Sequence, residues 1–239
     1  MSRKFKLLYA GIRAVIKHEG FISLISRGFA FIIRRLFFIE DYYVFMGNLA
    51  SPWVPVDYLP RVDNYYACII STNQEADELL AKGYNFGAYE LNLRSSLDKG
   101  AQACCIFIDK EFAHMMCNTA NKRGKDAIEP RPFHVDYDNS SIVYGKAFTL
   151  PKFRRLRLRK YSGYLMRKDA TEKGYKWSYA TTEVNNYQSY MNATHNPYSR
   201  ILSRCRYAKI LWFKYFKETK IGPMSAKEFL EQRFGKKMD

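Results

Sequence analysis

Apolar residues recur at helical spacing along the first 40 residues, with Lys and Arg between them. Gly20 interrupts the pattern and separates two amphipathic helices, the second of which ends near Leu36. Basic residues divide the second helix, so its longest uncharged stretch is shorter than the roughly 18 apolar residues that cross a membrane. The pattern predicts a cationic helical extension over residues 1–46. The apolar face of its first helix comprises Phe5, Leu8, Ile12, Val15 and Ile16.

This extension has two interpretations. The helices can pack on the main domain, or residues 1–40 can lie on an anionic membrane surface, with Lys and Arg at the lipid headgroups and Phe and Ile below them. The small-residue cleavage site of a signal peptide is not evident. Residues 47–63 contain three prolines and form the predicted linker to a main domain over residues 64–239.

The main domain mixes short apolar runs with helical segments. The apolar runs 102–108 and 112–118 are separated by three charged residues and predict a β-hairpin. Asn73 is predicted to cap a short helix, and Ser225 with Glu228 has the form of a capping box for the last helix. The other predicted strands are 65–71, 133–138, 142–150, 175–180 and 207–216, and residues 121–132 are a predicted loop.

This order of elements predicts an α+β domain of the α/β type, with a mixed sheet flanked by helices. The composition favours a folded protein, because 47% of the residues are hydrophobic and 16% are aromatic, whereas disordered chains lack such apolar content. A chain of 239 residues can bury one full core and still carry an appendage.

Charge and cysteine usage restrict the partners and the compartment. The net charge of +16 attracts polyanions, which include nucleic acids, anionic lipids and polyphosphate cofactors. The five cysteines form no CxxC pair and the four histidines are scattered, so neither a disulfide framework nor a metal site is supported. We expect reduced thiols and a cytoplasmic protein, peripheral to the inner face of the membrane if the extension binds lipid.

Residues 141–196 carry the main functional signal. A strand that ends near Pro151 is followed by residues 152–160, of which six of nine are Lys or Arg, and then by a helix. The first N–H groups of a helix lack partners within it, and the helix dipole adds partial positive charge. The order predicts a phosphate site, although a basic run at the start of a helix can also be a solvated surface.

The same stretch resembles the GNAT superfamily of acyl-CoA N-acyltransferases. That family has a strand ending near a proline, a loop of the form Arg/Gln-x-x-Gly-x-Gly/Ala, a long helix, a further strand and an asparagine that opens the next helix. Pro151, Phe153 and Arg154 match the start of the loop, and Asn186 matches the asparagine. The resemblance covers about residues 65–218 and implies a mostly antiparallel sheet.

The sequence departs from this family in three respects. Arg157 and Arg159 stand where loop glycines let backbone amides approach the pyrophosphate, so their side chains either crowd the site or point outward and bind the phosphates. The tyrosine that often acts as general acid would fall at Ala193, and Tyr190 is the nearest phenol. No glutamate lies on the strand 142–150, where the family often keeps its general base.

The resemblance implies acyl transfer from acetyl-CoA, or another acyl-CoA, to an amine acceptor. Backbone N–H groups of Phe148, Thr149 and Leu150 would polarise the thioester carbonyl and pair with the pantetheine arm. The implied pyrophosphate-binding residues are Arg154, Arg155, Leu156, Arg157, Leu158 and Arg159.

Three catalytic candidates come from the same resemblance. Asn186 would order the cofactor arm or a catalytic water, and Tyr190 would protonate the leaving thiolate. Glu183, at the end of the penultimate strand, is the candidate base, although a lone carboxylate there is more often simply solvated.

Two other functions are compatible with the sequence. A nucleic-acid-binding module fits the charge, but no RNA-recognition, KH or zinc signature is present, so nucleic acid is not the expected partner. The other alternative is a catalytically inactive GNAT-like protein that binds membranes or polyanions. The acceptor amine and the oligomeric state do not follow from the sequence.

Overall fold

The computed structural model describes residues 37–50, 58–187, 189–190 and 199–235. The two amphipathic helices predicted for residues 1–36 lie outside this part of the chain, as does most of the predicted linker. The described residues build one sheet of eight strands in the order β2-β3-β4-β5-β6-β1-β7-β8. The strands are β1 (Phe37–Asn48), β2 (Tyr65–Ile70), β3 (Gln102–Ile108), β4 (Glu111–Thr119), β5 (Ser141–Thr149), β6 (Trp177–Glu183), β7 (Ser199–Ile210) and β8 (Phe213–Ser225).

Five helices accompany the sheet in the described residues: α1 (Asn73–Ala81), α2 (Glu90–Leu97), α3 (Lys122–Ile128), α4 (Leu158–Glu172) and α5 (Ala226–Phe234). The two sides of β3 explain their layering, since successive side chains of a strand point to opposite faces. Ala103 and Phe107 pack in a cluster with α1, α2 and α3, whereas Cys104 and Ile106 pack in a cluster with α4. The sheet is therefore covered by helices on both faces.

The predicted mixed, mostly antiparallel sheet is confirmed. Every neighbouring pair of strands is antiparallel except β5 and β6, which are parallel. That parallel pairing is short, because Ser141–Val143 pair with Trp177–Tyr179 and the two strands then diverge. A wedge opens in the middle of the sheet beyond this point.

The helical extension predicted over residues 1–46 is wrong for residues 37–46, which belong to β1. This strand lies between β6 and β7 and is antiparallel to both. Tyr42–Phe45 are all buried, because layers cover both faces of the strand here. A strand buried on both faces shows no alternation of polar and apolar residues, so the pattern did not reveal it.

One of the two predicted helix caps is confirmed, and the other lies one residue earlier than predicted. The N-cap of α1 is Thr72 rather than the predicted Asn73: its side chain accepts from the Glu75 amide, and the Glu75 side chain accepts from the Thr72 amide. The predicted capping box of Ser225 and Glu228 is confirmed at the start of α5.

The loop predicted over residues 121–132 contains α3. The side chain of Asn121 accepts a hydrogen bond of 2.7 Å from the amide of Gly124, which caps this short helix. The strand predicted over residues 133–138 does not form. Mostly polar and charged residues at 121–126 concealed this helix, whose apolar contact with the core comes from its last two residues, Ala127 and Ile128.

The run 207–216, predicted as one strand, spans a hairpin. β7 ends at Ile210 and β8 begins at Phe213, with Leu211 and Trp212 forming the turn. Leu211 adopts a left-handed φ of 57°, which a tight hairpin turn requires but the apolar side chain did not signal.

All five cysteines are free thiols, and four of them are buried. Within the described ranges, no helix is long and apolar enough to cross a membrane. In the same ranges, no group of three or more His, Cys, Asp or Glu side chains is placed to hold a metal ion.

Candidate active site

The wedge between β5 and β6 holds a cavity of about 250 Å³. Beyond Val143, β5 pairs only with β4, and β6 beyond Tyr179 pairs only with β1. The facing edges of the two strands therefore offer backbone N–H and C=O groups to a ligand rather than to each other. Helix α4 contributes Arg159, Lys160 and Arg167 to the cavity wall, so the wall is cationic.

A β-bulge shapes the β5 side of the wedge. Gly145 pairs with Cys117 and Ala147 with Met116, so Lys146 is the extra residue, with φ of 28°. The Lys146 side chain donates to Ser96 of α2 over 3.0 Å. A bulge bends its strand, and this one lies two residues beyond Tyr144, the β5 residue that lines the cavity.

The three backbone amides predicted to act on the thioester are not equivalent. The N–H of Leu150 donates to the carbonyl oxygen of Ala113 over 2.9 Å. The prediction for Leu150 is therefore wrong, because that hydrogen is committed to β4. Residues of a strand alternate in the direction of their N–H groups, so Phe148 also points to β4, and Thr149 points to the wedge.

The basic loop that follows β5 carries two arginines in the left-handed conformation. After a short 3₁₀ turn over Pro151–Phe153, Arg155 has φ of 67° and Arg157 has φ of 61°. Arg157 stands where the GNAT motif places a glycine, and its backbone adopts a conformation that glycine favours. The side chains of Arg154, Arg155 and Arg157 are exposed, so they do not fill the space near the backbone.

Two leucines anchor this loop. Leu156 and Leu158 pack in the apolar cluster between the sheet and α4, and Leu158 is almost fully buried. The carbonyl oxygen of Leu156 accepts a 3.0 Å hydrogen bond from the amide of Arg61. Of the residues predicted to bind pyrophosphate, these two can therefore contribute only backbone groups.

The N-terminus of α4 is electropositive. Arg157 precedes the helix and makes no side-chain capping bond, and the first turn contains no acidic residue. The first N–H groups of α4 consequently lack a side-chain acceptor, while Arg157, Arg159 and Lys160 add charge of the same sign as the dipole end. An anion bound there relieves this repulsion.

A buried histidine joins three elements behind the loop. His114 of β4 is fully buried, and its Nδ1 and Nε2 each lie 2.7 Å from a hydroxyl oxygen, of Thr149 in β5 and of Ser162 in α4 respectively. The Ser162 hydroxyl donates to the carbonyl oxygen of Arg159, so it accepts from Nε2–H. Burial lowers the pKa of His114 to about 3, which keeps the imidazole neutral. We call these two hydrogen bonds the His114 brace. Its partners are 35 and 48 residues away along the chain, so no local sequence pattern predicts it.

Arg167 fixes the C-terminal half of α4 to the end of β1. Its Nε and Nη2 donate to the carbonyl oxygen of Leu49 over 2.8 and 2.7 Å. Desolvation lowers the pKa of Arg167 to about 10 and also lowers the pKa of Arg159, whose surface remains exposed at the cavity. Both cations are partly stripped of water, so an anionic group in the cavity would stabilise them.

The three catalytic candidates lie at the end of β6. The side chain of Asn186 accepts from the amide of Ser189 over 3.1 Å and so opens the helical turn that follows, as predicted. Glu183 is exposed and forms an ion pair of 3.0 Å with Arg131. Neither Asn186 nor Glu183 lines the cavity, although the nearby Ser189 does.

Tyr190 lies in the core rather than in the cavity. Its ring is fully buried against Tyr43 and Phe45, and its hydroxyl donates to the carbonyl oxygen of Glu183 over 2.9 Å. Burial raises the pKa of Tyr190. A phenol placed in this way supports the end of β6, and its position argues against the predicted role as proton donor to the thiolate.

Tyr144 is a cavity residue that the sequence analysis did not select. It follows Val143, at the point where β5 and β6 part, and lines the cavity. Its hydroxyl is buried beside Asn118 of β4 without a well-formed hydrogen bond to it or to another described residue. Burial raises the pKa of Tyr144, so the phenol keeps its proton. The alternating direction of side chains along β5 could have predicted that Tyr144 faces α4. It could not have predicted that Tyr144 lies at the apex of a wedge.

No family model matches the sequence, and no curated protein is similar to it. Solved structures do match. A tandem GNAT protein of the clavulanic acid biosynthesis pathway is 13% identical over 76% of this chain and 54% of its own, with a TM-score of 0.41. A GNAT-family protein from Novosphingobium aromaticivorans, described as an acetyltransferase, is 13% identical over 76% of this chain and 66% of its own, with a TM-score of 0.39.

A conserved protein of unknown function from Staphylococcus epidermidis is 10% identical over 78% of this chain and 62% of its own, with a TM-score of 0.39. The chain thus spans between about half and two thirds of the length of these three structures. Identities of 10% to 13% say nothing of a reaction or a substrate. The matching solved structures also include a GCN5-related N-acetyltransferase from Kribbella flavida and a GCN5-related N-acetyltransferase-like protein from Streptococcus suis.

Proposed function

We propose that this protein is an acyl-CoA-dependent N-acyltransferase that transfers an acyl group, acetyl in the simplest case, to an amine. The observation that carries the proposal is the wedge between β5 and β6, with the uncapped, cationic N-terminus of α4 on its wall. One ligand that has a polyanionic end and a long arm rich in amides fits both features.

The pyrophosphate binds at the start of α4. The N–H groups of the first turn and the exposed side chains of Arg154, Arg155 and Arg157 provide the donors, together with Arg159 at the cavity. The left-handed backbone at Arg157 leaves the amides of the turn accessible although the motif glycine is absent. The brace through His114 holds this turn against β4 and β5.

The edge of β5 that faces the wedge would hold the pantetheine arm. From Thr149 toward Val143 this edge offers backbone groups with which the amides of the arm would pair, as an added strand would. Six residues of strand span roughly 20 Å at about 3.3 Å per residue, so the edge reaches the apex of the wedge. Tyr144 lines the cavity at that apex.

The reaction joins the amine nitrogen to the acyl carbon and breaks the carbon–sulfur bond. The wedge-facing amides of β5 polarise the thioester carbonyl, with Thr149 N–H as one donor. The neutral phenol of Tyr144 donates a proton to the departing thiolate, and solvent water accepts the proton released from the amine and returns one to Tyr144. Glu183 is paired with Arg131 and lies outside the cavity wall, so we give it no step.

Two finer expectations accompany this proposal. Attachment of residues 1–40 to an anionic membrane surface would bring the enzyme to an acceptor there, and the cytoplasmic location stays a prediction. The alternative is a GNAT-like protein that binds the cofactor or other polyanions without transfer. It would retain the site at α4 and lack turnover.

The test is a calorimetric titration with acetyl-CoA. We expect micromolar binding, about −8 kcal/mol, by the natural protein. Arg157→Ala/Arg159→Ala should weaken binding at least about tenfold. The matched control Arg123→Ala/Arg200→Ala removes the same charge from exposed positions outside the cavity wall and should bind as the natural protein does.

Equal losses in both double variants would show a general attraction of polyanions and overturn the assignment of the loop. Saturable binding followed by release of free thiol in the presence of an amine supports the enzyme. Binding without thiol release from a broad set of amines would favour the inactive alternative.

A further inference from the structure

Exposed apolar side chains gather at one end of the sheet, where the β7–β8 hairpin turns and β1 begins. Among the described residues, eight of the eleven large hydrophobic side chains that are exposed lie there. Trp212 is 84% exposed, Ile39 71% and Phe213 64%. The hairpin-end surface, as we name it, comprises Phe37, Ile39, Ile210, Leu211, Trp212, Phe213, Tyr215 and Phe216.

The strand register makes most of this surface continuous. Residues directly opposite each other on neighbouring strands share a face of the sheet. Phe37 pairs with Ile210 and Ile210 with Phe213, which gives one row across three strands. Ile39 pairs with Ala208 and Ala208 with Tyr215, which gives a second row two residues along. An apolar patch of adjacent rows is uncommon on a protein surface unless something covers it.

The charge around this surface selects its partner. Residues 199–225 contain seven Lys or Arg and one acidic residue, Glu218, so the hairpin carries a net charge of +6. Lys209 pairs with Lys214 across the strands, next to the turn and on the face opposite to Ile210 and Phe213. The turn thus combines apolar and aromatic side chains with lysines, which suits the boundary between lipid headgroups and acyl chains.

Other occupants fit less well. A second copy would bring another hairpin of charge +6 against the first, and residues 1–36 carry eight Lys or Arg and one Glu, a net charge of +7. Like charges oppose both contacts. Single-stranded nucleic acid matches the charge, but Ile39, Ile210 and Leu211 offer aliphatic surface and no ring on which a base can stack.

We propose that the hairpin-end surface binds an anionic lipid bilayer, with Trp212 and Phe213 entering the interface and the surrounding lysines contacting the headgroups. This proposal does not depend on acyl transfer. It assigns membrane contact to residues 207–216 of the folded domain, in addition to any contact by the N-terminal segment. That segment enters the fold at Phe37, which belongs to the same surface.

The experiment is co-sedimentation of the full chain with phosphatidylcholine vesicles, with and without phosphatidylserine. We expect binding to the anionic vesicles only, and at least about tenfold weaker partitioning for Trp212→Ser/Phe213→Ser. The matched control Leu59→Ser/Tyr66→Ser removes two other exposed apolar side chains and should bind as the natural protein does. Equal thermal midpoints of the two variants confirm that both are folded.

Tryptophan emission provides a second measurement. On binding, the emission should shift to shorter wavelength, and the shift should be lost in Trp212→Phe, which leaves two other tryptophans. If Trp212→Ser/Phe213→Ser bound the anionic vesicles as strongly as the natural protein does, the proposal would be overturned. The proposal would also be overturned if the protein did not bind vesicles but formed a dimer, or bound oligonucleotides, and Trp212→Ser/Phe213→Ser abolished that association.

Discussion

At the scale of single residues, Tyr144 is the cavity side chain to which we assign protonation of the departing thiolate. Its phenol is buried at the apex of the wedge, and its raised pKa keeps it protonated at neutral pH. Arg159, Lys160 and Arg167 share the cavity wall with it, and as cations they favour bound anions.

Tyr144→Phe should therefore reduce turnover about a hundredfold and leave the affinity for acetyl-CoA unchanged, because only the hydroxyl is lost. Thiol release and calorimetry measure the two quantities separately. Tyr161→Phe is the control, since Tyr161 packs in the same apolar cluster and does not line the cavity. Turnover that survives in Tyr144→Phe would mean that another group protonates the thiolate.

Arg157 is a second residue whose local conformation has a measurable consequence. A residue other than glycine destabilises the fold by roughly 1–2 kcal/mol when its backbone is left-handed. Glycine avoids this strain but loses more conformational entropy on folding, which offsets part of the gain. Arg157→Gly should stabilise the fold by about 1 kcal/mol, seen as a thermal midpoint about 2–4 °C higher. Arg154→Gly is the matched comparison, because Arg154 has φ of −68°, and it should not stabilise the protein.

At the scale of elements, the brace through His114 links β4, β5 and α4 by two hydrogen bonds. The lowered pKa of His114, about 3 against 6.5 in the unfolded chain, makes this link sensitive to acid. Above pH 6.5 both states are neutral and the contribution to stability is constant. Between pH 6.5 and 3 only the unfolded state takes up a proton. The free energy of unfolding therefore decreases by roughly 1.4 kcal/mol for each unit by which the pH is lowered.

We therefore expect protonation of His114 to lower the free energy of unfolding by about 3 kcal/mol as the pH is reduced from 6.5 to 4. His114→Gln should be less stable at pH 7, since one hydrogen bond is lost, but its stability should fall less over this range. His134→Gln changes an exposed histidine and should show the slope of the natural protein. Chemical denaturation at each pH gives the comparison, and equal slopes in all three proteins would refute it.

The sequence predicted those elements whose signal is local. The β3–β4 hairpin, β5, α4 and the cap of α5 follow from apolar runs, charged turns and capping residues that lie within a few positions of one another. β1 was missed because its buried residues 42–45 do not alternate. The basic loop was found from the sequence, whereas Tyr144 and His114 depend on strand pairings and contacts between distant segments.

At the scale of the whole molecule, the net charge of +16 opposes compaction, since the 39 basic side chains outnumber the 23 acidic ones. Raising the ionic strength from about 10 mM to 150 mM shortens the screening length from about 30 Å to 8 Å. We expect the thermal midpoint to rise by about 2–4 °C over this range. A midpoint that falls with added salt would indicate that surface ion pairs outweigh the repulsion.

The sheet itself consists of two halves that meet at a narrow joint. β2 to β5 form one half, and β6, β1, β7 and β8 form the other, with three residue pairs between β5 and β6 connecting them. The wedge exists because this joint is short. The candidate site therefore depends on how the two halves are arranged and not on either half alone.

The position of β1 also sets the order in which the protein can fold during its synthesis. β1 leaves the ribosome before the other described strands, yet both of its neighbours come late, and Asp41 binds Arg206, 165 residues further along. At about 5–20 residues per second, β1 waits on the order of ten seconds for β6, while β2 to β5 can already pair. Among the described strands, β1 is thus synthesised first but is one of the last to pair with its neighbours.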